Sequence, residues 1–411
     1  MLKLPKKKER SAVQSLKEKE SAWMEYGMPE RFLSSFGEHE QALPDLQDSS
    51  ESEPRAQQNM KEKPRPQRNS SASAEPLLDI RGLEVQLNGR DPLTVIDSID
   101  LTVHQGEIIG IVGESGCGKS VLSLAIMGLL AKDMHIHDGE IWYDEKPVHQ
   151  LTAEQVRKLR GKELAMIFQD PLTSLNPSLT VGQQITEMLR LHLKYTKKQA
   201  KEEALRLLQR VGLPKPEALL KAYPHQLSGG MRQRVMIAIA LSCGPRLLIA
   251  DEPTTALDVT IQADILDLLR QIRDEDQTSI LFISHDLGVI AELCDRIAVM
   301  YAGQIVEQGT ANELFDAPKH PYTVGLLQSI PSPDKKHERL YAIPGAVPAL
   351  HNRNEGCRFY SRCQLATEIC RMHQPALVGM GGQHRVRCFA AEQEGGISHG
   401  DSARATETAI S

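Results

Sequence analysis

The chain is poor in aromatic residues, which make up 4% of its 411 positions. That argues against a base-stacking surface for single-stranded nucleic acid. Positive charge is not in excess either. The 48 Lys and Arg against 54 Asp and Glu leave a formal net charge of -6, so no global field draws DNA or RNA. Long apolar runs are missing: stretches such as Ala125–Ala131 fall far short of the ~18 residues of a membrane-spanning helix. The basic start MLKLPKKKER is not followed by an apolar segment, so it does not read as a secretory signal. Seven cysteines in a chain of this length do not make a disulfide scaffold. What is present is ordinary globular composition, 40% hydrophobic and 25% charged, enough for a sizeable core in two or three domains. These features point to a soluble intracellular protein.

Composition changes near residue 76. Residues 1–76 are rich in Lys, Glu, Ser, Gln and Pro, and the part from Pro44 to Ala74 has almost nothing to bury, so it is expected to be disordered. The patch Trp23–Phe36 is the exception, either a short docking segment or a transient cluster in a tail. From Leu77 onward the pattern is regular. The runs Leu78–Leu87, Ile99–Val103 and Ile108–Val112 read as strands, and Ser120–Leu130 as a helix. Ala204, Leu207, Leu208 and Val211 share one helix face, with Gly212 as the stop. Ile261, Ile265, Leu268, Leu269 and Ile272 repeat that period. Leu247–Ala250 and Ile280–Ile283 are continuous apolar runs, as in strands buried on both faces of a parallel sheet. The alternation predicts an α/β fold with helices on both sides. Residues 392–411 read as a frayed polar tail.

Residues 113–120 read GESGCGKS, which fits G-x-x-x-x-G-K-[ST] between a strand and a helix. The residues Gly113, Glu114, Ser115, Gly116, Cys117, Gly118, Lys119 and Ser120 are thus candidates for binding a nucleotide's phosphates. Glycines let backbone N–H groups turn toward an anion, and the helix start adds a positive dipole. Lys119 supplies a point charge for the β- and γ-phosphates, and the Ser120 hydroxyl can ligate Mg2+. Cys117 reads as a spacer, with a reactive thiol as the minor alternative. Residues 247–252 read LLIADE: an apolar strand ends in Asp251, a candidate Mg2+ ligand, and Glu252, a candidate base for an attacking water.

Residues 227–231 read LSGGM, inside YPHQLSGGMRQRVMIAIAL. With the two motifs above, this segment resembles the signature of ATP-binding-cassette ATPases. Gln169 in FQD is similar to that family's Q-loop, Ala256–Leu257–Asp258 to its D-loop, and His285 in ISHD to its switch histidine. The resemblance covers residues 77–331. It implies a P-loop NTPase core of the RecA-like type, an antiparallel β subdomain, and a helical signature subdomain at about 170–235. It further implies ATP and Mg2+ as cofactors, with Glu252, His285 and Gln169 catalytic and with Ser120, Gln169 and Asp251 around Mg2+. Two cassettes would pack head to tail, so that Ser228, Gly229 and Gly230 of one meet the γ-phosphate held by the other, with Asp258 near the contact. The family usually stacks an aromatic residue on adenine upstream of the phosphate loop. Residues 77–106 hold no Phe, Tyr or Trp, so Arg90 or an aliphatic side chain is left to cover the ring.

DPLTSLNP at 170–177, KHPYTVGLLQSIP at 319–331 and the block around Ile343–Gly345 resemble the peptide and nickel importer subfamily. That resemblance implies uptake of a dipeptide or oligopeptide, or alternatively of nickel or a metallophore. The partners it implies are two transmembrane permeases, a second ATPase subunit or copy, and an extracytoplasmic binding protein. The chain would then sit peripherally on the cytoplasmic face of the membrane. Residues 332–391 would be that subfamily's C-terminal region. Cys357, Cys363, Cys370 and Cys388 lie there as C-x5-C-x6-C-x17-C, and soft thiolates suit an iron–sulfur cluster or zinc. The absence of C-x2-C pairs weakens zinc. The tail resembles that of dipeptide-importer ATPases that carry a [4Fe–4S] cluster, and free or paired cysteines are the alternative. Nearby Arg358, Arg362, Arg371, Arg385 and Arg387 are expected to favour thiolates. Two other readings are a soluble cassette ATPase acting on nucleic acid or ribosomes, and a redox sensor. A single phosphate loop and no basic aromatic surface count against the first.

Overall fold

The runs IIGIV, LLIAD and SILFI are buried at every position, because central strands of a parallel sheet are covered on both faces. The computed structural model describes residues 75–255, 257–330, 341–353 and 355–395. The expectations for residues 1–74, including the 23–36 patch, for Ala256 and for 396–411 lie outside the described residues.

The strands are β1 (Leu78–Leu87), β2 (Leu93–Val103), β3 (Ile108–Val112), β4 (Met134–Tyr143), β5 (Lys146–Pro147), β6 (Leu164–Ile167), β7 (Leu247–Asp251), β8 (Ser279–Ile283), β9 (Arg296–Tyr301), β10 (Gln304–Thr310), β11 (Val378–Gly379) and β12 (Arg385–Val386). The helices are α1 (Lys119–Ile126), α2 (Ala153–Leu159), α3 (Pro171–Ser174), α4 (Val181–His192), α5 (Lys197–Arg210), α6 (Pro216–Leu219), α7 (Gly229–Leu241), α8 (Val259–Asp276), α9 (Leu287–Leu293), α10 (Ala311–Asp316), α11 (Pro321–Gln328), α12 (Glu368–Met372) and α13 (Phe389–Gly395).

Two sheets organise these elements. The smaller is antiparallel, in the order β2-β1-β4-β5. The larger runs β11-β12-β10-β9-β3-β8-β7-β6, parallel from β6 to β9 and antiparallel beyond. Register decides where the chemistry lies. Asp251 pairs with Ile283, and Ile283 with Ile111, so β3, β7 and β8 finish at the same level. The segments that follow them share the C-terminal edge, where open α/β sheets bind ligands.

Helices α4 and α5, between β6 and β7, start on side-chain caps. Thr180 and Thr196 each form a capping box with a glutamine three residues on, as Thr152 does for α2 and Thr310 does with Glu313 for α10. Each cap is worth about 1 kcal/mol. α1 stops at Ile126, short of the expected Leu130. β2 starts at Leu93, six residues before the expected Ile99, because it pairs along all of β1 through register shifts that break the simple alternation.

Residues 341–395 join the main sheet. β12 pairs with β10, Glu307 opposite Val386, and β11 pairs with β12. Glu307 is fully buried. Burial would raise its carboxyl, but His384 at 2.7 Å and the N–H groups of Lys319 and His320 outweigh that and hold it below the usual range. α13 runs through the first residues of the expected 392–411 tail.

Candidate functional site

The phosphate loop turns sharply off the buried end of β3. Gly113 passes so close to β9 that an added Cβ would lie 2.1 Å from the Met300 carbonyl oxygen, which restricts the position to glycine. Ser115, Gly116 and Ser120 are exposed, while Gly113, Cys117 and Lys119 are buried. Lys119 Nζ donates to the carbonyls of Gly113 at 2.7 Å and Glu114 at 3.1 Å, which fixes its charge over the loop. Burial pushes the Cys117 thiol up, against the pull of the Lys119 charge, which supports the spacer reading. Gly118 borders β2, where an added Cβ would stand 3.7 Å from the Val95 carbonyl oxygen. Arg90 is exposed in the turn before that strand.

Asp251 ends β7 and is 5% exposed. Its Oδ1 is buried without a hydrogen-bond partner. Burial and the neighbouring Glu252 raise its carboxyl, against the Ser120 hydrogen bond and the Lys119 charge. A desolvated carboxylate oxygen beside a serine hydroxyl suits a hard divalent cation, so the residues present fit Mg2+.

Glu252 adopts a positive φ of 48°, unusual for a residue with a side chain, and such strain costs ~1–3 kcal/mol. The turn aims its carboxylate across the sheet end. Gln169 Nε2 donates to Glu252 Oε2 at 3.1 Å, and Thr255 Oγ1 donates to the same oxygen at 2.9 Å. His285 Nδ1 lies 3.3 Å from it. Residues predicted separately from three segments are thus brought onto one oxygen. Thr255 escaped the sequence reading, its only signal being the hydroxyl that follows the acidic pair by three positions.

Ser228 caps α7, accepting from the Met231 N–H at 3.3 Å, and Asp258 caps α8, accepting from the Ile261 N–H at 2.9 Å. The two helix starts touch: a Cβ on Gly230 would stand 2.7 Å from Ile261 Cδ1. Gly229 has nothing within 4 Å of the same position, and both it and Ser228 are exposed. Among the described residues, the hydrogen bonds of Ser228 stay within its own helix start.

Cys357, Cys363, Cys370 and Cys388 line one small cavity with Phe359, Leu365 and Phe389. Among the described residues, no three potential ligands stand close enough for a single ion. The cavity brings four soft donors together against apolar side chains. The expected thiolate-stabilising arginines turn elsewhere. Arg358 binds Asp97 and the Ala302 carbonyl, Arg362 binds Glu114, and Arg387 donates to the Ile305 carbonyl. Burial therefore dominates and pushes the Cys357 thiol up to about 11, its three cysteine neighbours adding to the rise.

Comparison with known proteins identifies the chain's relatives. A family profile described as "ABC transporter" matches residues 96–255, and one described as "Oligopeptide/dipeptide transporter, C-terminal region" matches residues 306–370. The chain is 50% identical over 321 residues to the oligopeptide transport ATP-binding protein AppD of Bacillus subtilis, covering 78% of this chain and 98% of that one. It is 47% identical over 313 residues to the dipeptide transport ATP-binding protein DppD of Escherichia coli, covering 76% and 96%. The dimeric ATP-binding cassette MJ0796, solved in a post-hydrolysis state with ADP and Pi, superposes with a TM-score of 0.52 at 26% identity, over 57% of this chain and 98% of that one. With this sequence likeness along nearly the full length of those relatives, the chain belongs to the ABC transporter ATP-binding proteins, an ATPase family, in the branch that carries the oligopeptide/dipeptide transporter C-terminal region.

Proposed function

We propose that the chain is the ATP-hydrolysing subunit of an importer that carries dipeptides or oligopeptides across a membrane. The observation that carries the reading is the convergence of Gln169, Thr255 and His285 on one oxygen of Glu252, next to Asp251 and across the sheet end from the phosphate loop. Its likeness to oligopeptide and dipeptide transport ATP-binding proteins supports peptides as the cargo.

In this reading the backbone of 115–120 and Lys119 grip the triphosphate, with the α1 start adding its dipole. Ser120, Asp251 and Gln169 would hold Mg2+, which would supply electrostatic stabilisation of the triphosphate's charge. Glu252 takes the proton of the attacking water, and Gln169, Thr255 and His285 hold its carboxylate in line. The exposed Ser228 and Gly229 at the α7 start close over the γ-phosphate of a second subunit, a copy or a paralogue. ATP then favours the closed pair and loss of γ-phosphate releases it.

Permease subunits complete the machine, with an extracytoplasmic binding protein delivering cargo. No described helix is long and apolar enough to cross a membrane. Phe168 and Leu172, on either side of Gln169, are 39% and 64% exposed and offer apolar surface for a partner. Cys357, Cys363, Cys370 and Cys388 would hold a [4Fe–4S] cluster at the cysteine cavity.

The test is uptake of labelled dipeptides and oligopeptides by cells lacking this chain but retaining the permeases. The wild-type chain restores uptake and Glu252→Gln does not. Failure of the wild type to restore uptake of any peptide overturns the reading.

A further inference from the structure

An acidic residue sits within the anion-binding loop. Glu114 follows Gly113 directly, and a bare carboxylate there would repel a triphosphate. A segment 248 positions downstream contacts it. Arg362 Nη1 reaches Glu114 Oε2 at 2.6 Å, and Nη2 reaches Oε1 at 3.1 Å, a bidentate pair. The Glu114 N–H donates to the Tyr322 hydroxyl at 2.9 Å.

Arg362 is itself fixed. Its Nε donates to the Pro344 carbonyl at 2.8 Å, and its guanidinium lies 5.7 Å from the Tyr301 ring centre and 5.9 Å from that of Phe359. Arg362 is 6% exposed. Its neighbour Cys363 and the ring of Phe359 line the cysteine cavity on the other side. The turn Cys357–Cys363 thus presents thiols to the cavity and guanidinium groups to the cassette.

We propose that Arg362 is a positioning residue for nucleotide binding. It neutralises Glu114 and pulls it off the phosphate path, so that the wall of the cysteine cavity forms one side of the ATP site. The inference rests on the phosphate-loop reading above. Glu114 lies in that loop, and Tyr322 and Arg362 act on it through its backbone and its side chain.

The test is calorimetric binding of the non-hydrolysable analogue AMP-PNP to the full chain, with steady-state ATP hydrolysis beside it. Arg362→Met should weaken AMP-PNP binding by about tenfold and raise KM for ATP, with kcat changed by less than about twofold. Adding Glu114→Gln to Arg362→Met should restore affinity to within about threefold of wild type, because the uncovered charge is gone. Arg362→Lys, which keeps charge but not the fork, should fall between. If Arg362→Met does not fold, as judged by its melting, the Lys variant and its pairing with Glu114→Gln carry the same comparison. Unchanged affinity in the arginine variants, or no rescue by Glu114→Gln, overturns the proposal. Lys119→Ala separates the two levels: if it binds AMP-PNP like wild type, the phosphate-loop reading itself fails.

Discussion

Gln169 Nε2 donates to Glu252 Oε2 across 3.1 Å, joining two residues 83 positions apart. Gln169 follows β6 and precedes α3, while Glu252 follows β7. The contact ties the start of the helical segment to the acid at the sheet end.

Glu252→Gln keeps the shape of this cluster and removes the base. ATP hydrolysis should fall by ~10²–10⁴-fold while ATP affinity stays within about threefold. Phosphate release and calorimetry measure the two. Hydrolysis at the wild-type rate would take Glu252 out of its role.

Lys119→Ala deletes the cation held over the loop by the Gly113 and Glu114 carbonyls. Losing a charge-assisted contact of ~1.5–3 kcal/mol should weaken ATP by roughly tenfold to a hundredfold. Equilibrium binding of ATP reads this directly.

Asp251→Asn removes a buried charge whose Oδ1 lacks a protein partner. The Mg2+ concentration needed for half-maximal hydrolysis should rise by at least about tenfold, while the melting temperature holds or increases. A lower melting temperature with unchanged Mg2+ dependence would assign Asp251 a structural role instead.

His320 is 2% exposed, and its Nδ1 accepts the Tyr322 N–H at 3.0 Å. Burial lowers its pKa from 6.5 to about 4, with the Glu307 carboxylate opposing and the Arg387 charge adding to the fall. The unfolded chain protonates this ring first, so the folded state loses stability as pH falls from about 6.5 toward 4. The full loss is on the order of 3 kcal/mol, at about 1.4 kcal/mol per unit. Melting followed from pH 7.5 to 5 should fall more steeply for wild type than for His320→Asn, whose amide keeps an acceptor at the helix start. Parallel slopes would assign the acid sensitivity to other groups.

The cysteine cavity makes an optical prediction. Anaerobically purified full-length protein should contain iron and absorb near ~400 nm, and Cys363→Ser should reduce both. A colourless, iron-free anaerobic sample removes the cluster from the account.

Much of the fold was legible because the signals are local. IIGIV, LLIAD and SILFI announce buried strands by composition, and the phosphate loop by spacing within eight residues. The gathering of Gln169, Glu252 and His285 was legible only as a resemblance, since no periodicity links positions so far apart. Tyr322 and Arg362 at Glu114 were not legible, because a long-range polar contact leaves no pattern in the intervening chain. The thiolate expectation failed for a related reason. Arginines adjacent in sequence to cysteines point to the opposite side of the same turn.

The pairing of β12 with β10 has a practical consequence. A chain cut after residue 330 would lay bare an edge strand and strip Glu307 of His384 while it remains deep in the protein. Such a fragment would not be a minimal motor but a damaged one, prone to stick to its own kind. The nucleotide-handling part and its cysteine-bearing appendage should therefore melt together in a single transition.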